Sequence, residues 1–146
     1  MLDSTNRRLL AELQANARVT QAELARRVGL SSPAVAERLQ RLEQHGVICG
    51  YRAEIDPAAV GFSLSAIIRV RPAPRQLHKV AELARSLPEI VQCDRITGED
   101  CYLIRAHVRD VHHLEELIDQ LAPYGQTTTS IVQSSPVPAR GLALDD

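Results

Sequence analysis

The chain has no tryptophan, one phenylalanine and three tyrosines, an aromatic share of 3%. Single-stranded nucleic acid is gripped by stacking bases on aromatic platforms, so this scarcity argues against that mode. Excess charge is missing too: 17 Lys and Arg stand against 18 Asp and Glu, a net charge of −1 with His neutral. Any affinity for a polyanion must therefore come from a local patch and not from a chain-wide field. No apolar run approaches the roughly 20 residues a membrane helix needs, which predicts no membrane association. The start, MLDSTNRR, has no apolar stretch behind its charges, the pattern expected of a cytoplasmic protein. Cys49, Cys93 and Cys101 form no CxxC pair and no zinc spacing, so reduced, inert thiols are expected. No nucleophile elbow, Ser-His-Asp order or phosphate-binding glycine loop occurs, so the chain is expected not to be an enzyme. His112, His113, Glu115 and Glu116 suggest a metal only superficially. Adjacent histidines on a helix point in different directions, and a third ligand is lacking, so no metal is expected.

What remains is a globular composition, 45% hydrophobic and 24% charged over 146 residues. That length fits two small domains or one medium one. Residues 1–57 read as helices. Asp3 is placed to cap a helix with Leu9, Leu10 and Leu13 on one face. Thr20 with Glu23 three residues on reads as a capping box for a second helix, which buries Leu24, Ala25 and Val28. Gly29 stands where the chain must turn through a left-handed conformation. Ser32 as cap with Pro33 behind it starts a third helix, with Val35, Leu39 and Leu42 in one stripe. Gly46 stops it, and Val47–Ile55 reads as a short hairpin or extended arm.

The period then changes. Phe62, Leu64, Ala66, Ile68 and Val70 alternate as in a strand. Leu77, Val80, Ala81, Ala84 and Leu87 fit a helix face. Ile90–Thr97 and Cys101–Val108 read as strands joined by a tight turn at Gly98-Glu99-Asp100. Leu114, Leu117, Ile118 and Leu121 form a second helical stripe, and Thr127–Gln133 is β-branched. The fold class is therefore α+β, a winged-helix-like helix-turn-helix domain (1–50), a linker or extended arm (51–61), a ferredoxin-like βαββαβ domain (62–138) and a tail (139–146). Apolar neighbours such as Ile67 and Ile68, or Leu103 and Ile104, put apolar residues on both sides of the sheet. A second subunit is thus expected over the face that the helices leave open.

Residues 20–45 have the form of a helix-turn-helix. With Val35, Leu39 and Leu42 inward, the opposite face of the third helix presents Pro33, Glu37, Gln40 and Gln44, with Ala34 and Arg41 beside them and Arg38 at the border. The small Pro33 and Ala34 let the helix sit deep in a major groove. Arg38 and Arg41 reach phosphates or guanine edges, and Gln40 suits adenine. Glu37 has two readings: an acceptor for a cytosine amino group, or a partner for Arg41 four residues on. Arg26 and Arg27 are placed for backbone phosphates, and Gln21, Ser31 and Ser32 complete the candidate DNA-binding set. Double-stranded DNA is the expected partner.

With those residues in place, the chain resembles the Lrp/AsnC family of transcriptional regulators. The matching stretches are LDSTNRRLLAELQANARVTQAELARRVGLSSPAVAERLQRLEQHGVICGYRAEIDPAAVG, DRITGEDCYLIRAHV and TTTSIVQSSPVP, spanning residues 2 to about 138. The resemblance implies a ferredoxin-like domain that senses a small-molecule effector, usually an amino acid, with no further cofactor. It implies a homo-oligomer, a dimer that commonly assembles to an octamer. It also implies a ligand site at a subunit interface, to which Gly98, Glu99, Asp100, Gln126, Thr127 and Thr129 contribute here. The chemistry is compatible: Glu99 or Asp100 accepts from an ammonium, while backbone amides near Gly98 and threonine hydroxyls donate to a carboxylate. The chain departs from the family's GxxDY pattern by carrying Cys101 before Tyr102, with Asp100 one position earlier. Two other functions occur on this fold, tetrapyrrole decarboxylation and non-specific organisation of chromatin.

Overall fold

The computed structural model describes residues 2–144. The chain forms two compact units, one running to Glu54 and including the segment from Val137, the other Ile55–Pro136. The stretch read as a linker, 51–61, is thus divided between the units.

The first unit holds three helices, α1 (Ser4–Ala15), α2 (Gln21–Val28) and α3 (Ser32–Gln44). Asp3 caps α1, its Oδ1 accepting the Asn6 N–H at 2.7 Å. Thr20 caps α2, its hydroxyl accepting the Glu23 N–H at 3.1 Å. The capping box is only half made, because Arg26 and Arg27 take the Glu23 carboxylate that was expected to return to Thr20. Gly29 ends α2 with φ 72°, where a Cβ would be strained. The cap of α3 is Ser31 and not Ser32. The Ser31 hydroxyl accepts the Ala34 N–H, while the Val35 N–H that a Ser32 cap would need already donates to the Ser31 carbonyl at 3.0 Å. Leu9, Leu24, Ala25, Val28, Val35 and Leu39 form the core of this unit. After Gly46 the chain to Asp56 forms no strand, so the stretch is an extended arm and not a hairpin.

The second unit has the order β1 (Leu64–Pro72), α4 (Leu77–Ser86), β2 (Ile90–Arg95), β3 (Tyr102–Val108), α5 (Val111–Leu121) and β4 (Gly125–Ile131). The strands are antiparallel in the order β2-β3-β1-β4, the ferredoxin-like arrangement. Side chains alternate across a strand, so one face collects Ala66, Ile68 and Val70 of β1 opposite Ala106, Ile104 and Tyr102 of β3. These pack with Val80 and Leu87 and with Leu114, Leu117 and Leu121. Asp110 caps α5 by accepting the His113 N–H at 2.8 Å. His113 is buried: its Nδ1 accepts the Arg109 N–H and its Nε2 donates to Glu89 Oε1 at 3.0 Å. The His113 bond, then a backbone amide, holds the Glu89 carboxyl below the usual carboxylate range.

The open face is more polar than the apolar neighbours suggest. Ile67 and Leu103 lie on it, partly buried, but so do Ser65, Arg69, Arg105 and His107. Val91 sits at a register shift between β2 and β3, 55% exposed. The Ser65 hydroxyl lies 2.8 Å from His107 Nδ1, and burial with nearby Arg105 lowers the His107 pKa.

Candidate functional site

In the first unit, α2, the Gly29 turn and α3 carry the predicted DNA-binding residues, of which Ala34, Glu37, Arg38 and Arg41 line one groove. Pro33, Glu37, Gln40 and Arg41 are exposed, and Ala34 and Arg38 are partly so, while Val35, Leu39 and Leu42 are buried. That is the 3.6-residue period with the apolar stripe turned inward. Gln21 and Ser31 are exposed at the starts of their helices, and Ser32 is partly buried.

Each predicted arginine already has an acidic partner. Arg26 grips Glu23 with two nitrogens, at 2.9 and 2.6 Å, and Arg27 bonds the same carboxylate at 2.9 Å and also Glu12. These two guanidiniums press the Glu23 pKa down to about 2. Arg41 pairs with Glu37, the second of the two readings of that residue. Arg38 donates to Asp3 Oδ2 at 2.8 Å and to Asn6 Oδ1 at 3.0 Å. The Arg38 bond, then the Asn6 amide, lowers the Asp3 pKa. Sequence reasoning missed Asp3, Asn6 and Glu12 at this surface, because their partners are 15 to 35 positions away. On the arm, Tyr51 donates to Glu43 at 2.9 Å, and burial, then this carboxylate, pushes its hydroxyl up to about 12.

The Glu23 pairs carry a sign for acid stability. The folded-state pKa lies below the ordinary carboxylate value, so the stabilisation is full above about pH 5 and fades as pH falls toward 2. Glu23→Gln is expected to lower the melting temperature of the first unit slightly above pH 5, with the difference shrinking through that window. A pH-independent difference in thermal melts would show that the charge pairs contribute nothing.

In the second unit, Gly98 takes φ 101°, a conformation that favours glycine, in the loop between β2 and β3. The Ile96 N–H closes this loop on the Cys101 carbonyl at 2.8 Å. Arg71, on β1, donates to Glu99 at 2.6 Å, and its Nε stands 3.9 Å from Asp100. Gln126 on β4 is the register partner of Arg71. The loop and Gln126 therefore meet around a residue absent from the predicted set. The alternation Ile67, Arg69, Arg71 along one strand was the available signal.

Thr127 and Thr129 are not in this group. They pair with Val70 and Ile68, whose side chains lie under the helices, whereas Gln126 and Thr128 pair with Arg71 and Arg69 on the open face. The sheet separates the two threonines from Gln126, a consequence of the period of two in strands. Among the described residues no cluster of three or more His, Cys, Asp or Glu could hold a metal ion. His112 reaches Glu115 at 3.9 Å and Glu116 at 3.4 Å on the exposed side of α5. All three cysteines are free thiols, and burial raises the Cys93 pKa.

Two family models match the chain. One, a winged helix-turn-helix DNA-binding model, covers residues 2–48, and the other, the Lrp/AsnC ligand binding domain, covers residues 65–142. The uncharacterized HTH-type transcriptional regulator YezC of Bacillus subtilis is 39% identical over 134 residues, 92% of this chain and 95% of that one. A transcriptional regulator of Neisseria meningitidis, solved in complex with L-methionine, superposes with a TM-score of 0.91. It is 32% identical and is matched over 99% of this chain and 98% of that one. A feast or famine regulatory protein of M. tuberculosis, also solved with L-methionine, gives a TM-score of 0.91 at 34% identity, over 97% of this chain and 99% of that one.

Proposed function

Since the chain belongs to the Lrp/AsnC family of transcriptional regulators, we propose that it reads operator DNA with α3 and adjusts that binding to an amino acid held by its sheet unit. The observation that carries this reading is the outward face of α3. It is capped by Ser31, narrowed by Pro33 and Ala34, and bears Gln40, Arg38 and Arg41 above a fully apolar inner stripe. A capped helix of this kind lays its first turns against base edges, while cations on α2 meet the phosphates. In this reading Gln21, Arg26, Arg27, Ser31 and Ser32 position the duplex. Pro33, Ala34, Glu37, Gln40 and Arg41 face the groove, with Arg38 at its border against a phosphate. Glu37 does so only when Arg41 leaves it.

The effector group is Gly98, Glu99, Asp100 and Gln126, with Arg71 added. Arg71 offers a planar fork suited to an α-carboxylate, and Asp100 an acceptor for an ammonium. Thr127 and Thr129 act by shaping β4 from the helix side. An amino acid fits because L-methionine occupies two relatives of like fold. Binding at one unit that alters DNA affinity at the other is a coupling free energy between two sites. The protein works as a homo-oligomer, at least a dimer through the open sheet face, in the cytoplasm and without catalysis. The relatives' names as transcriptional regulators support a role without catalysis, and among the described residues no helix is long and apolar enough to cross a membrane.

The test is binding to operator and bulk DNA over a range of salt, with and without L-methionine, with particle size measured in parallel. Arg41→Ala is expected to weaken binding and to reduce the slope of log affinity against log salt by about one. An unchanged slope and affinity would remove α3 from the interface. Equal affinity for operator and bulk DNA would favour a chromatin-organising role.

A further inference from the structure

Among the arginines assigned to the duplex, Arg27 and Arg38 are tied to acids outside their own helices, Arg27 to Glu12 on α1 and Arg38 to the residue that caps α1. Arg26 and Arg41 pair with acids three and four residues away on their own helices. Arg38 pairs with Asp3, 35 residues earlier, just ahead of α1. The two oxygens of Asp3 have separate tasks: Oδ1 accepts the Asn6 N–H and starts the helix, while Oδ2 accepts from Arg38. Asn6 Oδ1 accepts from the same guanidinium nitrogen. Asp3, Asn6, Ala34, Glu37, Arg38 and Arg41 line one open groove of about 720 Å³. The Asp3 carboxylate therefore stands beside the face of α3 assigned to DNA, on the residue that would meet a phosphate there.

We propose that Asp3 is a built-in competitor for phosphate, holding Arg38 in the free chain and giving it up when a DNA phosphate arrives. This rests on the DNA-binding reading above and adds to it a residue that sets affinity without touching DNA. An exposed carboxylate and a phosphate are alternative acceptors for one guanidinium fork, so binding exchanges one ion pair for another. The exchange lowers affinity for every duplex alike, since it involves no base edge.

Asp3→Asn separates the two tasks of this residue. Asparagine caps helices as well as aspartate does, so the Asn6 N–H keeps its acceptor. The amide nitrogen that replaces the other oxygen is a donor facing a donor, so the ion pair with Arg38 is lost and only the weaker neutral bond to Asn6 remains. Affinity for a mixed-sequence duplex is measured against salt for the wild type, Asp3→Asn, Arg38→Gln and the double variant, with melting curves in parallel. Asp3→Asn is expected to bind about two- to fivefold tighter at low salt, with the gain shrinking as salt rises and melting unchanged. In the Arg38→Gln background the same substitution is expected to change nothing. Asp3→Asn with wild-type affinity and slope would overturn the proposal and leave Arg38 as a tie between helices. An equal gain in both backgrounds would also overturn it, because Asp3 would then act only as a general negative charge. A wild type that binds no duplex at any salt would instead sink the DNA-binding reading, and this proposal with it.

Discussion

Leu24→Ala is expected to destabilise the helix-turn-helix unit strongly and weaken DNA binding while leaving the sheet unit folded. Leu24 is 1% exposed and belongs to a small cluster of buried residues, shared between α1, α2 and α3. Removing a buried leucine side chain costs about 2–5 kcal/mol, the transfer energy plus the cavity left behind. A unit this small has a total stability on the order of 3–9 kcal/mol, at roughly 0.05–0.15 kcal/mol per residue. One substitution therefore removes much of it. The sheet unit has its own core and shares none of these contacts. Hydrogen exchange reads both units at once: amides of α1–α3 are expected to lose protection while those of β1 and β3 keep it. Equal loss in both units, or none in either, would show that the cores are not separate.

Gly125→Val is expected to have a comparable effect on the second unit. Gly125 begins β4 opposite Pro72, and its backbone is extended, so strain in φ is not the reason for glycine. The reason is space. A Cβ there would lie 2.4 Å from the Arg71 carbonyl oxygen and 2.9 Å from the Pro72 Cα. Both are main-chain atoms, so no rotamer relieves the clash and the ladder between β1 and β4 must part at that end. Overpacking of this kind costs about 1–3 kcal/mol, or roughly 4–8 °C in melting temperature per kcal/mol for a domain of this size. The same end of the ladder aligns Arg71 with Gln126, so the proposed effector site is expected to lose its geometry as well. Gly50→Ala, where a new Cβ meets nothing within 4 Å, is the neutral control. Equal melting curves for the two variants would show that β4 has slack at its start.

The parts of the fold legible in the sequence are those set by short-range rules. Asp3 and Thr20 are caps because a side-chain oxygen reaches an amide three residues on, whatever lies elsewhere. The cap of α3 fell one residue earlier than the sequence suggested, since Ser31 and Ser32 are both suitable and only the main-chain bond from Val35 distinguishes them. Gly29 and Gly98 mark turns that need positive φ, and both take it. The open sheet face was legible only in part. Apolar neighbours in a strand promise apolar surface on both sides, but the residues between them on that face are arginine, serine and histidine.

Sequence alone determined the two kinds of unit, their helices and strands, and the inward stripe of α3, because periodicity and capping act within a few residues. Tertiary structure alone decided which charges meet and which strand residues share a face. Arg38 reaches Asp3 only because α1 packs beside α3, and Arg71 reaches Glu99 only because β1 pairs with β3. Thr127 and Thr129 parted from Gln126 because the register of β4 against β1 assigns alternate residues to opposite sides. Ion pairs and registers join residues far apart in the chain, and their geometry exists only once the elements are packed.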